Sequence, residues 1–355
     1  IDFPSLILIL LAFILSGIGI IAIYSATYWK GPDLWDKQFI SVLLTIPVVI
    51  IFRYIDYKIL VRFAPYIYLV SLLFLGATLV LASPVKGARR WLYIGGFNFQ
   101  PSELIKLALI LVLADLIEAK KGEWSELFLF ITCLGLTLIP FLITAMQPDL
   151  GTAVILMVIF MVTIFVSQIR IRYIIFLIGL GITSIPLAWK YLLMDYQKER
   201  ILTFLNPNRD PLGAGYHIIQ SKLAIGSGGL LGYGFLNGPQ NRLKFIPEQH
   251  TDFIFSLIGE EFGFIGSLLV IILFLFLFTV GLYISSRSDT KAGLLMGVGI
   301  ISMLCVHVFI NIGMTIGLLP VTGIPLPFIS YGRSGLMVNM MGIGILSSIS
   351  KRRVR

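Results

Sequence analysis

Long apolar stretches alternate with short polar breaks from one end of the chain to the other. A helix that crosses a bilayer needs about 20 mostly apolar residues. The pattern supplies ten such segments, at 4–27, 36–53, 63–82, 104–118, 127–145, 151–168, 174–193, 253–284, 292–319 and 336–350. The fourth and tenth are short and are expected to extend into their flanks. One long interruption, 194–252, separates the seventh from the eighth. The spacing predicts an all-α integral membrane protein of ten transmembrane helices, a single domain over 1–355, with a large extracytoplasmic loop between helices 7 and 8. No small-residue cleavage site follows the Leu6–Ile23 run, so it reads as a helix rather than a removed signal. A chain opening on Ile1 rather than Met raises the expectation of a short preceding piece.

Composition agrees. Of 355 residues, 57% are hydrophobic and 13% charged, with a mean hydropathy of +0.95. A soluble domain carries roughly a quarter charged residues, so one water-soluble core, a disordered chain and a disulfide scaffold are all excluded. Cys133 and Cys305 both lie in apolar stretches and imply no redox framework. The net charge of +9 points to cytoplasmic loops and lipid headgroups rather than nucleic acid. Arg53, Lys58, Arg62, Lys120, Lys121, Arg170, Arg172, Arg287, Lys291 and the Lys351, Arg352, Arg353, Arg355 tail fall on one side, against Lys30, Lys86, Arg89, Arg90 and Arg333 on the other. The richer side is cytoplasmic, which puts both termini inside. The 194–252 loop carries more basic residues, but long loops weigh little in this rule, so it is placed outside.

Four outer segments hold the unusual residues: Arg89–Leu92 running on to Gln100-Pro101-Ser102-Glu103, Gln147–Gly151, Gln197 through His250-Thr251-Asp252-Phe253, and Pro320–Gly332. Irregular backbone at membrane depth is tolerated only where protein covers it or a wet cavity is lined. Together, Arg90-Trp91, Gln100-Pro101-Ser102-Glu103, Gln147-Pro148-Asp149-Leu150-Gly151, His250-Thr251-Asp252-Phe253 and Leu326-Pro327-Phe328-Ile329-Ser330-Tyr331-Gly332 resemble the SEDS family (shape, elongation, division and sporulation), over nearly the whole chain. Thr322-Gly323-Ile324-Pro325 is more similar to its RodA branch than to FtsW. Where the family usually continues with a second glycine, this chain has Arg333.

The resemblance implies a peptidoglycan glycosyltransferase that polymerises lipid II on the outer face of the bacterial cytoplasmic membrane during elongation and shape maintenance. It implies as donor an undecaprenyl-pyrophosphate-linked glycan, and as partner a class B penicillin-binding protein. It also implies Asp252 as the catalytic residue and Arg89, Arg90, Gln100, Ser102, Asp149, Ser330 and Tyr331 as substrate-binding residues.

The residues can be weighed for that chemistry on their own terms. Pro247 suits the first turn of a helix, which sets Glu248 and Asp252 four apart on one face at the outer boundary. A carboxylate there can accept the proton of an attacking sugar hydroxyl. It can also, with Glu248, hold a divalent cation (Mg or Mn) against a leaving pyrophosphate; capping a helix N-terminus is the plain alternative. Lys106, one turn inside a span, needs a partner, and Glu248 is the expected one. Glu260 and Glu261 lie deeper in a span, where a structural or proton role is expected. Guanidinium forks at Arg89 and Arg90 match phosphate oxygens or lipid headgroups. Asp149 reads equally as substrate ligand or turn cap, Ser330 and Tyr331 as substrate contacts or loop ties, and His250 as a helix-terminal hydrogen-bonder. Three scattered histidines suggest no zinc site, and no nucleotide-binding motif is present. Glycines around 213–234 suggest a pliable outer loop that closes over sugars, or an ordered cap, with Tyr216–Ile225 lying along the membrane surface. Two other activities use the same features: a lipid-linked precursor flippase, and a non-catalytic scaffold for the penicillin-binding protein.

Overall fold

The computed structural model describes residues 2–29, 34–82, 90–94, 97–210 and 213–352. Arg89 and Lys86 lie outside the described residues.

Helices occupy all ten expected segments: α1 (Phe3–Tyr28), α2 (Leu34–Tyr54), then after the short α3 (Tyr57–Arg62), α4 (Ala64–Leu81). A two-stranded antiparallel hairpin follows, β1 (Leu92–Ile94) with β2 (Phe97–Phe99), Tyr93 facing Asn98. Next come α5 (Pro101–Lys120), α6 (Glu126–Met146), α7 (Leu150–Val166) and α8 (Ile171–Leu187). Within the long loop stand α9 (Asp195–Leu205), α10 (Ala214–Ser227) and α11 (Pro239–Leu243), and the chain closes with α12 (Ile254–Ser286), α13 (Lys291–Thr315) and α14 (Arg333–Lys351). Among the described residues, seven helices are by themselves long and apolar enough to cross a membrane, while α5, α7 and α14 are shorter or more polar. The protein is a multi-pass membrane protein.

The two least apolar of the ten long helices, α5 and α14, are among the most buried. Nearly every residue of α5 from Pro101 to Ala114 is buried, and α13 and α14 are largely enclosed with it, whereas α8 buries only Ile174. This is the membrane arrangement, in which apolar surface is left to lipid and polar or small residues mark the helix contacts. A side chain at Gly344 of α14 would come within 2.6 Å of the Phe52 Cβ, so the absence of one lets α14 lie close along α2.

The 194–252 segment is held to the bundle through a break in α12. Gly263 takes φ 64°, which interrupts the helical ladder, and the freed groups are taken by the loop. Phe264 N donates to Gly229 O at 2.9 Å and Ile265 N to Leu230 O at 3.1 Å; Tyr233 N and Gly234 N donate to the carbonyls of Glu260 and Glu261 at 3.0 and 2.9 Å. Every backbone group at this depth needs such a partner. The two acids complete the joint: Glu260 Oε1 accepts from Gln240 N at 2.6 Å, and Glu261 Oε1 accepts from Ser25 Oγ at 2.5 Å and Asn241 Nδ2 at 3.0 Å. Their expected structural role is what these contacts provide. Residues 216–225 form most of α10, which packs inward on α12 and α13: Ile218 and Ala224 are buried, and Ser221 Oγ donates to Thr315 O at 2.7 Å.

Candidate active site

The site is built where α5 begins. Gln100 stands at the N-cap position without a side-chain cap bond and Pro101 opens the helix, a position where its missing N–H costs nothing. Glu103 and Lys106 then fall one turn apart on the same face, both buried. Lys106 Nζ lies 2.8 Å from Glu103 Oε1 and 2.8 Å from His307 Nε2 of α13. The His307 Nδ1 lies 2.7 Å from the Met303 carbonyl; because a carbonyl only accepts, Nδ1 carries the hydrogen and Nε2 accepts from the ammonium. The expected Lys106–Glu248 pair is therefore corrected. A carboxylate three residues away on the same helix reaches the ammonium without crossing the cavity, and Glu248 instead lies with its Oε2 4.0 Å from His250 Nε2.

The segment from Pro247 to Phe253 is a turn, and α12 starts only at Ile254, so Pro247 does not open that helix. Thr251 N and Asp252 N both donate to Glu248 O at 3.1 Å, and Glu248 takes φ 51°, a left-handed conformation that costs a non-glycine residue energy and is common at functional sites. The turn is bolted from outside: Tyr331 N donates to His250 O at 2.9 Å and Ser330 Oγ to Thr251 O at 2.6 Å. Asn311 Nδ2 of α13 donates to both Asp252 O and Ile324 O, at 2.9 and 2.8 Å. The His250 ring meets the Tyr331 ring edge-on at 5.9 Å. His250 is thus a loop tie rather than a helix terminus.

On the far wall, Arg90 spans the turn before α7. Its Nε donates to Gln147 O at 3.2 Å, its Nη2 to Pro148 O, and its Nη1 stands 3.7 Å from Asp149 Oδ1. Asp149 also caps α7, accepting from Thr152 N at 3.3 Å.

These walls enclose a polar cavity of about 370 Å³. Asp252, Glu248, Arg90, Gln100, Asp149 and Tyr331 all line it, with Glu103, His307, Arg200 and Thr322. Two residues expected at the site do not reach it. Ser102 is buried with its Oγ unpartnered and does not line the cavity; Ser330 is spent on main-chain bonds, also accepting from Leu326 N at 2.8 Å. Sequence reasoning missed Glu103, His307, Arg200, Thr322 and Asn311. The signal for His307 and Asn311 was present, since a polar or ionisable residue inside an apolar span needs a partner; nothing local marked Arg200.

Two apolar-walled cavities adjoin the polar one and share lining residues with it. The first, about 300 Å³, lies between α7, α9 and α13 among Leu150, Val154, Ile201, Ile310 and Leu319, and shares Arg200 and Thr322 with it. The second, about 810 Å³, runs beside α4 and the hairpin and shares Trp91, Glu248, Thr251, Tyr331 and Gly332.

Over residues 5–355 the chain matches the FtsW/RodA/SpoVE family, described as a cell cycle protein. It belongs to this family, the SEDS proteins. Among SEDS relatives, it is 41% identical over 354 residues to the peptidoglycan glycosyltransferase MrdB of Escherichia coli K12, covering 99% of this chain and 94% of the relative. It is 37% identical to the stage V sporulation protein E of Bacillus subtilis, covering 98% and 97%. Among solved SEDS-like structures, it superimposes with TM-score 0.84 and 29% identity on a chain of a peptidoglycan synthase complex that coordinates polymerization and crosslinking, covering 98% of each. It also superimposes with TM-score 0.74 and 26% identity on the rod shape determining protein RodA of Thermus thermophilus, covering 98% and 97%.

Proposed function

We propose that this SEDS protein is a peptidoglycan glycosyltransferase that polymerises lipid II, with Asp252 as the general base. The observation that carries this reading is the junction of one polar cavity, lined by four carboxylates and two guanidinium groups, with two apolar-walled cavities. Joining two lipid-linked reactants requires polar space for sugars and pyrophosphate, and apolar space on two sides for isoprenoid chains.

The Asp252 carboxylate takes the proton of the acceptor hydroxyl, whose oxygen attacks the anomeric carbon of the donor from the face opposite the pyrophosphate. The C–O bond to pyrophosphate breaks, configuration inverts, and the leaving group carries off the electron pair. Arg90 holds the wall by its contacts to residues 147–149. Arg200, at the mouth of the first apolar cavity, is placed to meet the pyrophosphate of the lipid whose chain lies there, as a guanidinium fork suits phosphate oxygens. The donor set also fits a divalent cation. Mg²⁺ is usually bound by one or two carboxylates with substrate phosphates supplying the rest, Asp252 and Glu248 face the same cavity, and among the described residues no group of three or more His, Cys, Asp or Glu forms a closed protein site. Bound there, the cation would neutralise charge developing on the pyrophosphate.

In this reading all ten long helices cross the cytoplasmic membrane, both termini are cytoplasmic and the cavity faces outward. The crosslinking partner is a class B penicillin-binding protein.

The test is a polymerisation assay on purified protein with labelled lipid II, Mg²⁺ or Mn²⁺ and the partner. Native protein should form glycan polymer, and Asp252→Asn, folded with an unchanged melting temperature, should form none. Polymer from that variant would remove Asp252 from the chemistry. Lipid scrambling in proteoliposomes without polymer would make the protein a flippase, and neither activity would leave a scaffold.

A further inference from the structure

The wide groove beside the polar cavity carries a charge that its own helix disfavours. Arg333 is the first residue of α14, and no acidic residue shares that first turn. The unpaired N–H groups at a helix start give it a partial positive charge, so a guanidinium there opposes the helix field. A local rule broken next to an active site points to a task outside the helix.

The groove defines the task. Arg333 lines the 810 Å³ groove but not the polar cavity, so its charge acts away from the reacting carbon. Glu248, by contrast, lines both and marks their boundary. The groove walls present aromatic faces, with Phe74, Trp91 and Tyr93 all exposed, and polar edges at Asn98, His250 and Thr251. Sugar rings have apolar C–H faces and hydroxyl rims, and aromatic surfaces beside hydrogen-bonding groups suit that combination. The volume lies at the upper end of the roughly 300–1,000 Å³ typical of pockets that enclose a ligand, more than twice that of the polar cavity. It has room for a saccharide substituent as well as the start of an isoprenoid chain.

We propose that Arg333 is a specificity-determining residue that pairs with a carboxylate on the peptide borne by the saccharide in this groove. The inference rests on the polymerising activity proposed above. Guanidinium–carboxylate contacts are charge-assisted and bidentate, so an uncharged amide at the same place would be held less well.

The experiment compares two lipid II substrates, one with free peptide carboxylates and one with those carboxylates amidated, on the wild type, Arg333→Gly and Arg333→Lys. The wild type should show a KM about tenfold lower for the free acid, the scale of a charged hydrogen bond, with similar kcat. Arg333→Gly should raise KM for the acid to the amide's level without changing kcat, and Arg333→Lys should retain part of the preference. Equal KM values in the wild type, or a fall in kcat rather than affinity in Arg333→Gly, would overturn the proposal. Repeating the assay in vesicles of phosphatidylcholine and of phosphatidylglycerol separates the other anion source: an Arg333 effect that appears only with phosphatidylglycerol and is equal for both substrates would assign the charge to lipid headgroups instead. Binding of both substrates to Asp252→Asn reads the preference without turnover. A preference retained there while the wild type makes no polymer would refute the activity and keep Arg333 as a recognition residue; no preference in binding would refute the role of Arg333.

Discussion

The side-chain amide of Asn311 holds the backbone of Asp252. Its Nδ2 donates to the Asp252 carbonyl at 2.9 Å and to the Ile324 carbonyl at 2.8 Å, so one buried group on α13 sets the spacing of the two loops that form the cavity wall. Leaving a buried acceptor unpaired costs about 1–3 kcal/mol. Asn311→Leu should therefore destabilise the protein by about 2 kcal/mol or more and lower kcat more than it raises KM, because it displaces Asp252 while leaving the substrate walls in place. Thermal unfolding in detergent and initial polymerisation rates check this; an unchanged kcat would show that Asp252 is positioned by other contacts.

Lys106 and Glu103 form a buried pair, and removing one partner strands the other. Lys106→Met should cost about 3–5 kcal/mol, visible as a lowered melting temperature. The double variant Lys106→Met with Glu103→Gln should recover much of that loss. Glu248→Gln should lower the melting temperature less than Lys106→Met does, as its side chain is 45% exposed and solvent can take up the lost charge. A large loss from Glu248→Gln alone would restore the partnership with Lys106 in place of the Glu103 and His307 contacts.

Gly323 faces the Asp252 carboxylate. It takes φ 75°, and a Cβ there would sit 3.5 Å from Asp252 Oδ2. Left-handed backbone costs an L residue roughly 1–2 kcal/mol, and the added methyl would fill the space beside the reacting oxygen. Gly323→Ala should reduce kcat several-fold, and Gly323→Val more. Gly76→Ala, at a position with nothing within 4 Å, is the control and should leave the rate unchanged.

The first apolar cavity should be selective for chain length. Val154→Trp, at a half-exposed position on its wall, should impair lipid II with a full-length isoprenoid and spare a short-chain analogue. Arg200→Ala should raise KM for both about tenfold, the scale of a charged hydrogen bond. Equal inhibition of the long and short substrates by Val154→Trp would remove the cavity from chain binding.

Much of the bundle was legible in the residues. Each apolar segment satisfies its own backbone hydrogen bonds as a helix, so hydropathy alone placed α1 or α13 within a few residues. The motifs brought Asp252, Arg90, Asp149, Gln100 and Tyr331 to one cavity wall or another. The start of α12 was misjudged because Pro247 is compatible with both a helix start and a turn, and contacts from Ser330, Tyr331 and Asn311 select the turn. Ser102 was misplaced because its direction depends on which face of α5 turns toward the cavity.

What the sequence determined by itself was the position of the long apolar helical segments and the identity of the chemically unusual side chains, because both follow from local hydrophobicity and from the cost of polar groups in hydrocarbon. Which ammonium meets which carboxylate was decided only by the tertiary structure. Lys106 had two acids within plausible reach along the chain, and α5, α13 and the 247–253 turn had to pack before distance could choose Glu103 and His307. The same packing brought Arg200 and Arg333, more than a hundred residues apart in sequence, to separate apolar-walled cavities that adjoin one polar site.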